Sequence, residues 1–403
     1  MRAFRIGLVL LSVAAVCTAC TAAGATPLPT TSVAAPSAAI VAPSATVGSA
    51  VAPTQAPSPS SAPVVSPQVN AEGTVTLRLR ADGATDVTAS GDIGSLTLTK
   101  DAQNVWSTTT AVLAPAIYRY YFTVDGTQIA DPGNPAKMSA TESMVTVPGN
   151  SPMPWEVRDV PHGKVTPITY QSAAFGTERR YTVYTPPGYE TGTTKLPVLY
   201  LLHGYTNDDS SWTAIGKANL IADSLLADGK IKPMIIVMPY GQLNPDVSTT
   251  EAFADDFQKK FEKQILTELI PAVEKSYRAL PDAMHRAMAG VSMGGMQAAF
   301  IGMNHPETFS SVGMWSAAVT GDPAILLSGL TATDDKVRHS FLYVQVAVGQ
   351  QDDLHLVPSS EGIDAVLTAL KIDHNFTETP GGTHSWLLWR GYLVDFLAKF
   401  SAL

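Results

Sequence analysis

Cysteine is nearly absent. The two that occur, Cys17 and Cys20, both lie in the first stretch of chain, so the folded part is expected to hold neither a disulfide nor a thiolate metal site, and packing must stabilise it. Positive charge is scarce as well: Lys and Arg number 26 against 35 Asp and Glu, a formal net charge of −9. Such a chain offers no basic field for nucleic acid or an anionic membrane surface, and neutral or weakly polar partners fit better. The apolar run at residues 6–16 is too short to span a bilayer. What the sequence does have is 403 residues with 45% apolar content, which is too much for one ordinary domain and suits two folded units with unstructured segments.

Arg2 and Arg5 precede that apolar run, and small residues follow it, the pattern of an export signal over residues 1–20. Thr18-Ala19-Cys20 resembles the cleavage box of bacterial lipoproteins, with Cys17 where that box usually has Leu. Two outcomes follow, lipidation at Cys20 or ordinary cleavage and secretion, and both place the protein outside the cytoplasm. Residues 21–70 are almost entirely Ala, Pro, Ser, Thr and Val. Without apolar periodicity such a segment cannot bury enough surface to offset its ordering entropy, and it reads as a disordered tether.

From residue 71 to 150 the texture alternates. Val75, Leu77 and Leu79 fall on one strand face with Thr76, Arg78 and Arg80 on the other, and further strands are expected at 86–90, 95–99, 105–109 and 118–124, ending near 147: a small all-β sandwich. Residues 151–403 then alternate strands with helices, an α/β pattern with a mostly parallel sheet covered on both faces. Apolar runs at 198–202 and 234–238 suit buried parallel strands, and strands are also expected at 287–291, 311–315, 341–348 and 375–379. Phe257, Phe261, Ile265, Leu269 and Val273 place a surface helix over 256–277. Two later helices are expected at 359–370 and 387–400.

Gly290-Val291-Ser292-Met293-Gly294 lies between an apolar strand and a helical segment, the context of a nucleophile elbow in an α/β-hydrolase fold. There the serine backbone is strained, its hydroxyl stands above the sheet, and only small residues fit two positions to either side. A serine hydroxyl needs a histidine to take its proton and a carboxylate to hold that histidine's tautomer, in the chain order Ser, acid, His. His384 follows the last apolar strand and precedes the last helix, where the base belongs. His355 is the competitor, while His305 reads as a cap of the elbow helix, His339 as a surface residue, and His374 precedes a strand. Asp352 and Asp353 both sit at the C-terminal end of a strand, the rim where ligands gather; the chemistry is indifferent between them, and loop position favours Asp352. The N–H groups of Tyr205, after His203-Gly204, and of Met293 are candidates for an oxyanion hole, with His203 itself structural. Tyr205, Trp212, Trp315 and Trp386 are candidates to line an acyl pocket, each equally at home in packing. Asp208 and Asp209 lack converging His or Glu and read as solvated loop charges rather than a metal site.

Taken together, the motifs around Tyr184-Thr185-Pro186-Pro187-Gly188-Tyr189, Tyr200-Leu201-Leu202-His203-Gly204, the elbow, and Gly381-Gly382-Thr383-His384-Ser385-Trp386 resemble the esterases grouped around feruloyl and acetylxylan esterases, related to esterase D and the mycolyltransferases. The likeness runs from Pro154 to the end of the chain. It implies a serine esterase acting without metal or cofactor on a carbohydrate ester, feruloyl or acetyl, of plant cell wall material. In that family the acid follows a Gly-x-x-Asp turn, which maps onto Gly349 and Asp352. The segment Tyr118 to Gly126 with Asp131-Pro132 resembles the immunoglobulin-like module that precedes many such esterases, akin to glycogen-binding modules; Trp106 and Tyr121 are its candidates for stacking on a glycan, a positioning role being favoured. Enterochelin-type siderophore esterases share a similar two-domain plan and give an alternative, and a glycan-binding surface lipoprotein with an inert hydrolase domain gives one of another class.

Overall fold

The computed structural model describes residues 63–243 and 247–403. The export signal, Cys20 and all but the end of the tether lie outside the described residues. The alternation at the start of the β region becomes the strand Val75–Arg80, whose residues are buried and half-buried by turns. It belongs to a four-stranded antiparallel sheet ordered Gln68–Val69, Val75–Arg80, Val105–Thr109, Thr99–Lys100. A second sheet runs Leu96–Thr97, Val87–Gly91, Ala116–Val124, Thr127–Ile129, with Ser143–Val147 also on Ala116–Val124. The strand expected at 95–99 is thus two short pieces, one on each sheet. Leu98 lies between them, 3% exposed, with its N–H bonded to the Val87 carbonyl; a bend there lets one segment serve both layers.

This unit begins before residue 71, because Gln68–Val69 already pairs with Val75–Arg80. Ser66 Oγ and Tyr120 Oη donate to Asp131 Oδ2 at 2.6 and 2.7 Å, all three groups buried. With the Gly133 N–H on Oδ1 at 2.8 Å, this buried carboxylate is satisfied three times and fixes the chain entry. Trp106 is buried, with Nε1 donating to the Ala81 carbonyl at 3.2 Å, so it packs the unit rather than offering a face to sugar.

The hydrolase-like part is an eight-stranded mixed sheet ordered Lys164–Ser172, Thr177–Thr185, Ile235–Pro239, Val198–Leu202, Arg286–Val291, Ser311–Trp315, Tyr343–Gly349, Asn375–Thr379. The first two strands and their junction to Ile235–Pro239 are antiparallel, and every later pairing is parallel. Strand Val198–Leu202 is buried throughout, and its side chains part to two cores. Leu199 and Leu201 join the helices Ala218–Ala227 and Trp386–Ala402, while Val198, Tyr200 and Leu202 join Phe257, Phe261 and Ile363 on the other face. This is why such strands read as continuous apolar runs. The first of these cores continues without a break into the β unit, through Ile117 and Tyr118 to Tyr120 and Phe122.

The helix expected at 256–277 consists of Asp255–Gln264, a π-helical stretch Ile265–Leu269 and Ile270–Ser276. Its five apolar residues recur every fourth position, which drifts about 40° per step in an ideal helix. A wider π turn takes up that drift and accommodates Pro271, which has no N–H to give the preceding turn. All five side chains are buried as a result.

Candidate active site

Ser292 stands between the strand Arg286–Val291 and the helix Met293–Gln297, with φ 57° and ψ −119°. That region is costly for any residue with a Cβ and is retained where surrounding structure enforces it. The enforcement is visible: the Ser292 N–H bonds the Trp315 carbonyl at 2.9 Å, and its own carbonyl accepts from Ala318 at 3.0 Å. A Cβ on Gly294 would come within 2.5 Å of the His203 carbonyl oxygen, and one on Gly290 within 2.8 Å of Leu202 Cβ. Both positions therefore require glycine.

The strand Tyr343–Gly349 leads into the candidate acid, Asp352. His384 Nδ1–H donates to Asp352 Oδ2 at 2.8 Å, while Oδ1 accepts the Leu354 N–H at 3.0 Å. The Asp352 side chain has no exposure, and that of His384 11%. With Nδ1 as donor, Nε2 is left as the basic nitrogen. Asp353 has a separate task, accepting the backbone N–H of His384 at 3.0 Å. His384 is thus held at its ring by one carboxylate and at its backbone by the next, and the ring rests edge-on against Trp389 at 4.9 Å. Ser292 and His384 line one cavity of about 690 Å³. No hydrogen bond joins their side chains among the described residues, as is common before a substrate draws such groups together.

The other candidate histidines have different surroundings. His355 is exposed on its loop, and His374 Nε2 pairs with Asp364 at 2.8 Å. His339 pairs with Asp335 at the surface. His305 is not a helix cap: its ring bridges Glu262 at 2.8 Å and Glu307 at 3.0 Å, and the Glu262 carboxylate draws its pKa up. His203 is buried, accepting the Gly241 N–H on Nε2 at 2.9 Å and donating from Nδ1 to the Gly204 carbonyl at 2.8 Å. Burial pushes its pKa down to about 4, so it stays neutral and shapes the turn. Gly204 then passes so close to the elbow that a Cβ would lie 3.4 Å from Ser292 Cβ. The next residue is Tyr205, whose hydroxyl is tied to the Val247 carbonyl at 2.9 Å. Met293, first in its helix, has an N–H without an intrahelical acceptor. Asp209 pairs with Arg180 Nε and accepts from Thr182 Oγ1 at 2.9 Å, and Asp208 lies 3.4 Å from the same guanidinium. These two carboxylates brace the turn.

A strained serine, a buried Asp–His pair and a glycine turn lie at one rim of the sheet. The family model described as "Putative esterase" matches residues 172–400. The chain belongs to that family. A relative named endo-1,4-beta-xylanase/feruloyl esterase, from Xylanibacter ruminicola, is 34% identical over 336 residues, 79% of this chain. The esterase spans only 43% of that relative's length. A solved structure of a ferulic acid esterase superposes with a TM-score of 0.53 at 27% identity, covering 60% of this chain and 98% of that one. The enterobactin esterase of Shigella flexneri, solved in the presence of enterobactin, shares the fold: TM-score 0.63 at 20% identity, 81% of this chain and 92% of that one.

The esterase's cavity has Tyr205, Ala214, Ile215, Leu354, Trp386 and Trp389 among its lining. Of the tryptophans expected on the acyl pocket, Trp386 is on the wall, and Trp212 and Trp315 are not. Those two are 1% and 0% exposed and form an edge-on stack beneath the site, with Trp212 ring centres 4.9 Å from Trp386 and 5.9 Å from Trp315. Their indole N–H groups are used internally, on the Leu202 carbonyl and Gln345 Oε1, each at 2.9 Å. Large rings that find such partners are more stable inside. Trp389, which the sequence reading does not include, also lines the wall; its place three residues beyond Trp386 on the same helix face is the signal for it. The β unit also reaches the cavity, through Asp92, Arg119, Lys137, Met138, Ser139 and Glu142. It is fastened by Arg390, 2% exposed, whose guanidinium donates to the carbonyls of Ile117 at 3.1 Å, Ile215 at 2.8 Å and Trp386 at 3.2 Å. Burial pushes its pKa down to about 10, leaving it charged at neutral pH.

Proposed function

We propose that the protein is an exported serine esterase that hydrolyses feruloyl or acetyl esters of carbohydrate, such as those of plant cell wall polysaccharide, by a two-step acyl transfer. The carrying observation is the Asp352–His384 hydrogen bond of 2.8 Å at the cavity that holds Ser292 in its strained turn. His384 Nε2 takes the hydroxyl proton as Ser292 Oγ attacks the carbonyl carbon. The same proton passes to the departing alcohol, leaving an acyl-serine. Water deprotonated by His384 then adds, and the carboxylic acid leaves with Ser292 restored. The N–H groups of Tyr205 and Met293 face the developing oxyanion. Trp386, Trp389, Ile215 and Leu354 give a planar aromatic acyl group an apolar wall, in keeping with the feruloyl esterase relative. Residues 1–20 direct export, with Cys20 as a lipid anchor if the lipoprotein box is used, and the β unit is the immunoglobulin-like module.

A siderophore-ester reading has one observation in its favour, that the likeness to the enterobactin esterase spans 81% of the chain. Against it, the lining carboxylates Asp92, Glu142 and Asp208 already have Arg119 or Arg180 as partners, and the Lys137 amine is bonded to the Asp131 carbonyl, which is poor company for an anionic ligand. An inert surface lipoprotein is the less economical reading, since every group the chemistry needs is present. The test is Ser292→Ala assayed on methyl ferulate and p-nitrophenyl acetate. Loss of at least roughly 10⁴-fold in kcat with an unchanged melting temperature is expected, and undiminished turnover rejects the assignment.

A further inference from the structure

Arg119 lies on the strand Ala116–Val124, beside the end of its neighbour Val87–Gly91, and both reach the cavity through Arg119 and Asp92. Its backbone N–H donates to Asp92 Oδ2 at 2.9 Å, and its carbonyl accepts the Asp92 N–H at 2.9 Å. Gly91 beside them has φ 131°, and a Cβ there would lie 2.9 Å from Tyr120 Cα, so the clip is possible only with glycine. The Asp92 side chain is 3% exposed and that of Glu142 is 18%. The position of the guanidinium is therefore set before any ligand arrives.

The guanidinium nevertheless makes little use of its donors. It carries five N–H groups, yet among the described residues it forms one hydrogen bond, to Glu142 Oε1 at 3.4 Å. Asp92 Oδ1 is 3.8 Å from Nε, an ion-pair distance too long for a hydrogen bond. Nε is buried without a partner. A cation held between two carboxylates is already neutralised, so the cluster does not call for an anion. It presents uncommitted donors beside carboxylate acceptors, the pattern that adjacent hydroxyl groups of a neutral polyol complete, since each hydroxyl both gives and accepts. The aromatic residues of the same cavity belong to the hydrolase part, which leaves the polar wall for the other half of an ester.

We propose that Asp92, Arg119 and Glu142 form the alcohol-side subsite, and that the β unit selects esters whose leaving group is a sugar. The proposal rests on the esterase reading above and names what its cleft recognises beyond the acyl group. Arg119 is the specificity-determining residue, and Asp92 positions it.

The test compares kcat/KM for feruloyl-arabinose and methyl ferulate, two esters of one acid that differ only in the alcohol. Wild type is expected to prefer the sugar ester. In Arg119→Ala that preference falls about 10-fold, the size of one lost hydrogen bond to a charged group, and Arg119→Lys recovers part of it. Glu142→Gln keeps the shape of the wall and lowers the preference about 3-fold, so the question stays open to measurement even if Arg119→Ala folds poorly. Arg80→Ala, on the other sheet of the same unit, leaves the preference at the wild-type value. An unchanged ratio in Arg119→Ala, equal losses on both esters, or a wild type indifferent to the sugar each overturns the subsite while leaving the esterase reading intact. Failure of wild type to turn over either ester strikes the esterase reading itself.

Discussion

The two walls of the cavity are built by opposite means. On the hydrolase side the groups sit at the ends of buried parallel strands, their backbone fixed by glycine contacts too close for a Cβ and their polar atoms matched at 2.8–3.0 Å. On the β side a partly exposed guanidinium lies between two more deeply buried carboxylates, and its contacts are looser, 3.4 Å and 3.8 Å around Arg119. Positions that must meet a transition state within a fraction of an ångström belong on rigid rims. Groups that choose among substrates tolerate slack and sit on the surface that varies most easily. The contrast assigns rate to one wall and choice to the other.

The strongest way to break that assignment is to disturb the tighter wall at the carboxylate that holds the imidazole. Asp352→Asn is expected to lower kcat by about 10⁴-fold, because the amide no longer holds the imidazole in the productive tautomer. Arg390→Met tests whether the walls are one body. Three buried carbonyls lose their donor, and unfolding in urea should show a loss of about 3 kcal/mol. A loss below about 0.5 kcal/mol would mean that the β unit is held by apolar packing alone. A pH series sharpens the picture of the turn behind the oxyanion site. His203 is held neutral with its pKa pushed down to about 4, below its unfolded value. Its contribution is complete above the unfolded pKa and is lost as the unfolded chain takes up the proton on acidification. Urea unfolding at pH 7 and pH 4.5 should show the advantage of wild type over His203→Gln shrinking by about 2 kcal/mol. The smallest effect is expected at Asp353→Asn, whose amide oxygen still accepts the His384 N–H; kcat should change by no more than about 3-fold. A large drop there would make the two carboxylates equivalent and undo the division of labour between ring and backbone.

What could be read beforehand follows the same divide. Buried parallel strands announce themselves as apolar runs, and the elbow as glycines around a serine, because the constraint there is local and leaves few residue choices. The candidate base and acid were read from chain order along the strands, although Asp352 and Asp353 look alike until the loops are seen packed, with the Gln351 N–H on the Gly382 carbonyl at 2.8 Å. The π stretch at Ile265–Leu269 was hidden behind a helical periodicity it does not disturb. Trp212 and Trp315 were offered as pocket residues because composition cannot tell a ring above the sheet rim from one stacked beneath it. The charged wall was invisible for a more general reason. Asp92, Arg119 and Glu142 are distant in sequence from Ser292, and ion pairs leave no period along a strand.

The uninterrupted apolar core has a consequence for inheritance. Where two modules meet across water, recombination can trade one for another and both survive. Here Ile117 and Tyr118 are packed into the same interior as Trp386 and Trp389, so a foreign β module would have to bring a matching interior face. Diversification of this esterase is therefore expected to proceed by changing turns on a retained module rather than by exchanging modules.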